Sequence, residues 1–316
     1  MSGFKKVLIT TLIIASVSIG IGAYIIYDSG LSPWQVGENL RRFFGDSGIS
    51  VDLGKSVEVK ENQSFTLGDK SKLKLSTVHG RIRVEMVEGT DIHLSITGKI
   101  PERYKDSYLK IQESADGLEV SLFKGIQNIN IGLGSDFDLD ILLRVPASYA
   151  GDVELSNVSD EINVNGLNGG KITLANVSGD MILEEGTFEH IAFNSVSGTV
   201  ISYSSAKSVT GETVSGNITA TNIGEHFNVK SISGTVNLKS SALLENSQAD
   251  TVSGDMEVVV ENQGNLSYEL TSVSGKLKAE HEGSVIQGDK SLSQNNTAGA
   301  VKVKLSSVSG KISLKY

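Results

Sequence analysis

The chain has 316 residues, no cysteine, three prolines, 34 glycines and a formal net charge of −9. The lack of cysteine excludes a disulfide framework, thiolate metal sites, a cysteine nucleophile and a lipid-modified cysteine. The acidic balance argues against nucleic acid as a partner, because phosphate neutralisation needs clustered Lys and Arg. Aromatic residues make up only 6% of the chain, and that scarcity beside so many glycines suits short strands and turns better than packed helices.

In chain order, residues 1–6 read as a cytoplasmic tail and residues 7–27 as a transmembrane anchor. Val7 to Tyr27 is a run of 21 residues without a charge, long enough to cross about 30 Å of hydrocarbon as a helix. Lys5 and Lys6 precede it and Asp28 follows, which places the N-terminus in the cytoplasm and the body outside, as a single-pass membrane protein. A cleaved signal peptide is the competing reading, with Gly20 and Gly22 near a cleavage point. The continuing apolar run Tyr24-Ile25-Ile26-Tyr27 favours the anchor.

Residues 28–50 read as a juxtamembrane amphipathic helix and linker. Ser32 caps the helix, Pro33 takes its first position, Gln35 completes a capping box and Gly45 stops it. Trp34, Val36, Leu40, Phe43 and Phe44 are expected at the membrane interface, which makes the lipid bilayer a partner through the N-terminal helix. The same helix would equally serve to cover the first coil of the following domain.

Residues 51–150 are strand-like but irregular. Val78-His79-Gly80 stands where a worn repeat would be, and Ala115-Asp116-Gly117 between Leu109-Lys110-Ile111 and Leu118-Glu119-Val120 signals a hairpin. Residues 151–316 carry a regular repeat. Val-Ser-Gly or Ile-Ser-Gly begins at Val177, Val196, Val214, Ile232, Val252, Val273 and Val308, after a degenerate Val158-Ser159-Asp160. Successive spacings of 19, 19, 18, 18, 20, 21 and 35 residues are the mark of a solenoid, and the last implies an insertion at about residues 280–299.

Alternation through Val177, Gly179, Met181 and Leu183 predicts a half-buried strand whose inward positions include the triplet's Val and Gly. The residue before each triplet is Asn157, Asn176, Ser195, Thr213, Ser231, Thr251, Ser272 or Ser307. These small polar groups predict a ladder along one corner that satisfies backbone groups rather than a row of nucleophiles. The fold class expected is all-β: a single-stranded β-helix, or β-solenoid, preceded by the N-terminal transmembrane helix.

No catalytic, cofactor-binding or metal-binding residue emerges. His79, His93, His190, His226 and His281 are scattered and read as exposed single residues. Gly132 to Asp138 matches one copy of a calcium β-roll motif but lacks the tandem copies that share ligands. Asp180 and Asp255 lie four triplets apart, about 19 Å, which is too far for a glycosidase pair at about 5–9.5 Å. From Lys276 to Tyr316 seven Lys face three acidic residues. Lys302, Lys304, Lys311 and Lys315 are therefore the candidate partner-binding residues, with anionic wall polymer or an envelope protein as partner. The competing account is edge protection on terminal strands.

Asp138-Leu139-Asp140-Ile141-Leu142-Leu143-Arg144-Val145-Pro146, followed by coils of the form Leu-x-x-Val-Ser-Gly-Asp-Met, resembles the bacterial putative-adhesin family, a domain of unknown function that includes LiaG-type membrane-anchored envelope proteins. The resemblance covers roughly residues 55 to 316. It implies a β-helix outside the membrane, often near envelope-stress operons, and brings no catalytic residue. The function expected is a non-catalytic, membrane-anchored, adhesin-like binding or scaffold module in the cell envelope, accessory to an envelope-stress response. The alternative is a β-helix polysaccharide lyase or hydrolase.

Overall fold

In the computed structural model, residues 55–123, 138–296 and 301–316 are described. They begin with β1 (Ser56–Thr66), β2 (Lys72–Thr77), β3 (Arg81–Val87) and β4 (Asp91–Pro101), then β5 (Leu109–Glu113), β6 (Gly117–Leu122) and β7 (Asp138–Pro146). The regular coils follow as β8 (Asp152–Asn157), β9 (Ile162–Asn165), β10 (Asn168–Ser178), β11 (Met181–Glu184), β12 (Thr187–Ser197), β13 (Val200–Ser202) and β14 (Ser205–Ser215). Next come β15 (Ile218–Ser233), β16 (Val236–Ser240), β17 (Ser247–Ser253), β18 (Met256–Val260), β19 (Leu266–Ser272) and β20 (Leu277–His281). The last four are β21 (Ser284–Gly288), β22 (Ser291–Gln294), β23 (Val301–Ser309) and β24 (Ile312–Lys315).

Each coil gives one strand to each of two ladders. The first runs β5, β6, β2, β8, β10, β12, β14, the second half of β15, β17, β23, β19 and β22. The second runs β1, β4, β7, β3, β9, β11, β13, the first half of β15, β16, β18, β24, β20 and β21. Pairing is parallel from β6 to β19 and from β7 to β20, and antiparallel strands close both ends.

Stacking does not follow chain order at either end. The β2/β3 coil lies between the β6/β7 and β8/β9 coils. The final coil, β23/β24, is threaded between β17/β18 and β19/β20.

The inward faces of the two ladders share one core. In the first ladder Leu155, Leu174, Phe193, Gly211, Val229 and Ala249 occupy one column. In the second, Ile162, Met181, Val200, Ile218, Val236 and Met256 do the same. A single coil has no layer above or below to enclose these side chains or to bond its backbone groups, so it holds its shape only against its neighbours.

The expected fold class is corrected in its N-terminal helix, and its β part shows two features the repeat did not predict. Its sheet is mixed, not purely parallel. Its coils are not stacked in sequence order. Among the described residues no helix is long and apolar enough to cross a membrane, the one helical element being a 3-10 turn at Glu102–Tyr104. The last finding also stands against the expected single-pass membrane location. The expected anchor at 7–27, and the helix holding Trp34, Val36, Leu40, Phe43 and Phe44, lie outside the described residues.

The burial expected at the Val-Ser-Gly corner is inverted. The buried residue is the polar one before the triplet: Asn157 and Asn176 are fully enclosed, and Ser195, Thr213, Ser231, Thr251, Ser272 and Ser307 nearly so. The triplet's Val residues form a column on the outside, half-buried from Val158 to Val252 and at Val308, and exposed at Val273. Asn157 Nδ2 donates to Gly80 O (2.9 Å) and Asn176 Nδ2 to Asp160 O (3.0 Å), while each Asn Oδ1 accepts the N–H two residues on. Ser231 Oγ donates to Ser233 O and Ser272 Oγ accepts the Gly275 N–H, so four of these side chains meet inward-turned backbone groups. The hydroxyls of Ser195, Thr213, Thr251 and Ser307 are enclosed without a partner among the described residues.

The triplet's glycine is required by contact as well as by angle. Gly179, Gly198, Gly216, Gly234, Gly254 and Gly310 all have φ between 114° and 146°. A Cβ on any one would fall far inside contact distance of the backbone carbonyl oxygen at the same position of the adjoining coil. Gly216→Ala is therefore expected to destabilise the protein by at least the roughly 1–3 kcal/mol of local backbone strain. Gly264→Ala, where a Cβ meets nothing within 4 Å, should leave the urea midpoint within error. Equal midpoints for the two variants would contradict the glycine ladder.

Candidate functional site

Lys302, Lys304, Lys311 and Lys315 all belong to the threaded coil, and the fold removes the edge-protection account of them. β23 is bonded to β17 on one side and β19 on the other, and β24 to β18 and β20. The four do not share a face. Lys302 and Lys304 point outward from the first ladder, Lys311 sits at the glycine corner and Lys315 lies on the second ladder.

Several of these charges are matched locally. Lys302 Nζ is 2.8 Å from Glu269 Oε2. Lys315 stands opposite Glu280, and the Lys278 ammonium, with Lys315 adding, holds the Glu280 carboxyl below its usual range. Lys304 and Lys311 are exposed and make no ion pair among the described residues. Lys276, next to Lys311 in the adjoining coil by register, is in the same position.

The corner carboxylates have structural partners. Asp180 Oδ1 accepts the N–H of Thr199 (2.7 Å), Asn217 Oδ1 that of Thr235 (3.0 Å) and Asp255 Oδ1 that of Lys311 (2.8 Å). Each ties one coil to the next. Asp140 is held by Arg83 (2.8 Å) and Arg81 (3.6 Å). Among the described residues no three His, Asp or Glu side chains gather as a metal site. Most of the calcium-like segment, 132–137, lies outside those residues.

One constellation escaped sequence reasoning. The two broken triplets, Val78-His79-Gly80 and Val158-Ser159-Asp160, are neighbours because β2 pairs directly with β8. Ser159 Oγ lies 2.7 Å from His79 Nδ1 and 3.2 Å from Val78 O. Asp160 Oδ2 accepts the Gly80 N–H at 3.0 Å and is 3.5 Å from Ser159 Oγ. Asp160 sits where later coils have glycine, at φ 83°, a conformation that Asp tolerates better than most residues.

A serine, a histidine and a carboxylate together suggest hydrolysis, but the order is wrong for it. The carboxylate flanks the serine and binds backbone instead of orienting the imidazole. The cluster works as a clamp between coils. The two triplets lie 80 residues apart in sequence, so each reads on its own as a worn repeat. A repeat position that breaks in both copies at once was the available signal.

His93 and His190 are exposed as expected, His79, His226 and His281 are half-buried, and none of the five stands alone. Ser64 Oγ meets His93 Nδ1 at 2.9 Å, Ser208 Oγ contacts His190 Nδ1, Ser247 Oγ is 3.5 Å from His226 Nδ1, and His281 Nδ1 is 2.9 Å from Tyr316 O. For four of the five a serine hydroxyl one strand away is the partner, and for His281 a backbone carbonyl, neither of which sequence spacing reveals.

Burial lowers the His79 pKa below its ordinary 6.5, against the opposing pull of the Asp160 carboxylate. Between the folded and unfolded pKa values the unfolded chain therefore binds more protons, so stability falls as pH drops through and below about 6.5. His79→Gln should flatten this slope between about pH 5 and 7, read as urea midpoints at each pH for the two proteins. Parallel slopes would show that His79 does not titrate against the fold.

Solved structures with which the chain aligns over most of its length include one titled a putative adhesin from Parabacteroides merdae (14% identity, 81% of this chain and 95% of that one, TM-score 0.41). Another, from Bacteroides fragilis, is also titled a putative adhesin (13%, 83% and 97%, TM-score 0.36). A third, from Parabacteroides distasonis, is titled a putative lipid binding protein (14%, 81% and 96%, TM-score 0.38). No curated protein matches the chain. The Toastrack DUF4097 model matches residues 71–315. That span takes in the broken triplets, the glycine ladder and the threaded last coil, and the chain belongs to the Toastrack DUF4097 family, a domain of unknown function.

Proposed function

We propose that the protein is a non-catalytic, adhesin-like binding or scaffold module of the cell envelope, and that anionic wall polymer is the ligand class its distal coils fit. The observation that carries this reading is one outward column of the first ladder that runs without a break. Thr173, Ala192, Thr210, Asn228, Gln248 and Lys304 follow one another in a single column, about 4.8 Å apart. Such a column makes a long, flat, rigid face that suits an extended chain better than a small molecule. In this column Lys304 stands between Gln248 and Glu269, and Lys311 and Lys276 adjoin each other at the glycine corner. The three make no ion pair among the described residues, which leaves positive charge for an anionic ligand. The corner carboxylates and the Ser159–His79 pair are occupied in holding coils together, which supports a role without catalysis.

The test is retention of the purified full-length protein on immobilised teichoic-acid-type polymer and on an uncharged polysaccharide. Selective retention on the charged polymer is expected, weakening as salt rises. The triple variant Lys276→Gln, Lys304→Gln, Lys311→Gln should bind roughly tenfold more weakly, the size expected for three exposed charge contacts. Equal retention by the variant would remove the lysines from the site. Shortening of either polymer on incubation would overturn the non-catalytic reading.

A further inference from the structure

The two ends of the stacked coils are protected differently. At one end the outermost strands are β1 and β5, each bonded on one side among the described residues. β1 carries Glu58, Lys60 and Glu61, and β5 carries Lys110 and Glu113. Charges of this kind discourage an edge strand from pairing with another chain.

The other end has no such protection. Its outermost strands are β21, bonded only to β20, and β22, bonded only to β19, among the described residues. Their sequences, Ser284-Val285-Ile286-Gln287-Gly288 and Ser291-Leu292-Ser293-Gln294, contain no charge and no proline. Val285 and Ile286 are 47% and 48% exposed. Both ladders therefore end at the same place in bare, uncharged edges.

The geometry of β21 selects an occupant. Glu282 (φ 47°) and Gly283 (φ 80°) form the two-residue turn before it, with His281 and Ser284 opposite one another. Alternation from that pair directs the N–H and C=O groups of Val285 and Gln287 to the free side. A second copy of β21 laid antiparallel, with Ile286 opposite its own counterpart, would exchange backbone bonds between Val285 of each chain and Gln287 of the other. The paired stretch Ser284–Gly288 carries no charge, so two copies meet in this register with no like charges opposed. Moving the centre by one residue sets Val285 or Gln287 opposite itself and leaves one bonded pair within Ser284–Gly288 instead of two. Ile286 lies across from the buried Ala279, so it faces the core side, and meeting its counterpart would cover the open end of the core.

We propose that this end of the molecule is a self-association surface: β21 pairs antiparallel with β21 of a second copy of this chain, centred on Ile286, joining two stacks end to end. The contact is two-fold and self-complementary, so it closes at a dimer. It is independent of the polymer-binding reading.

Because the sequence has no cysteine, the register can be tested by a single substitution in the full-length chain. Directly opposed residues in a non-hydrogen-bonded antiparallel pair have Cα atoms about 4.5 Å apart, within the roughly 4.4–6.8 Å that a disulfide spans. Under mild oxidation Ile286→Cys should run mainly as a covalent dimer, and Gly264→Cys, in an exposed loop, as a monomer. Adding Val285→Pro to Ile286→Cys, which removes a backbone N–H from the free edge, should lower the crosslinked fraction several-fold. Circular dichroism establishes that each variant is folded. A folded Ile286→Cys protein that stays monomeric overturns the proposal, as does equal crosslinking by Gly264→Cys. So does a crosslinked fraction indifferent to Val285→Pro, or a ladder of open-ended oligomers on sedimentation.

Discussion

Everything in this molecule hangs on the closest approach in it, the glycine of one coil against the backbone carbonyl of the next. At Gly198, Gly216, Gly234, Gly254 and Gly310 the space for a Cβ is taken by the neighbouring glycine's oxygen. The same residues hold positive φ, so one residue type answers a steric and a conformational demand together. The spacing of the coils is set at that corner, and the inward columns of Leu, Ile, Val and Met can pack at native density only because the corner lets the layers meet.

The corner also accounts for the inverted burial around it. A tight bend turns backbone donors and acceptors toward the interior, where each must find a partner. Asn157 and Asn176 answer with both ends of their amides, and the displaced Val goes to the outside column. Asp160 and His79 mark where the ladder is interrupted. A carboxylate there takes over a backbone N–H and a buried imidazole leans on Ser159. The group stands where later coils have the glycine corner, and its hydrogen bonds join the two coils there.

The ends of the stack follow a separate logic. Parallel coils can always accept another layer, so a finite solenoid must stop itself. Here both ends stop by antiparallel strands, and the chain's last coil is moved inward so that β21 and β22, rather than β23 and β24, are outermost. That displacement changes what the lysines mean. Lys302, Lys304, Lys311 and Lys315 are residues of an interior coil, some matched by Glu269 and Glu280 and some not.

Sequence alone determined the repeat, its period of 18 to 21 residues, the strand alternation and the polar corner, because these are local demands: a bend needs glycine, and a two-sided strand needs alternation. It misassigned the inward side at the triplet, since parity read through a bend depends on how sharply the chain turns. Coil order, the meeting of His79 with Ser159, the serine partners of the histidines and the interior position of the last coil were decided only in three dimensions. Each is a contact between residues tens of positions apart, made by stacking, and stacking is specified by the fit of whole layers, which no single segment contains.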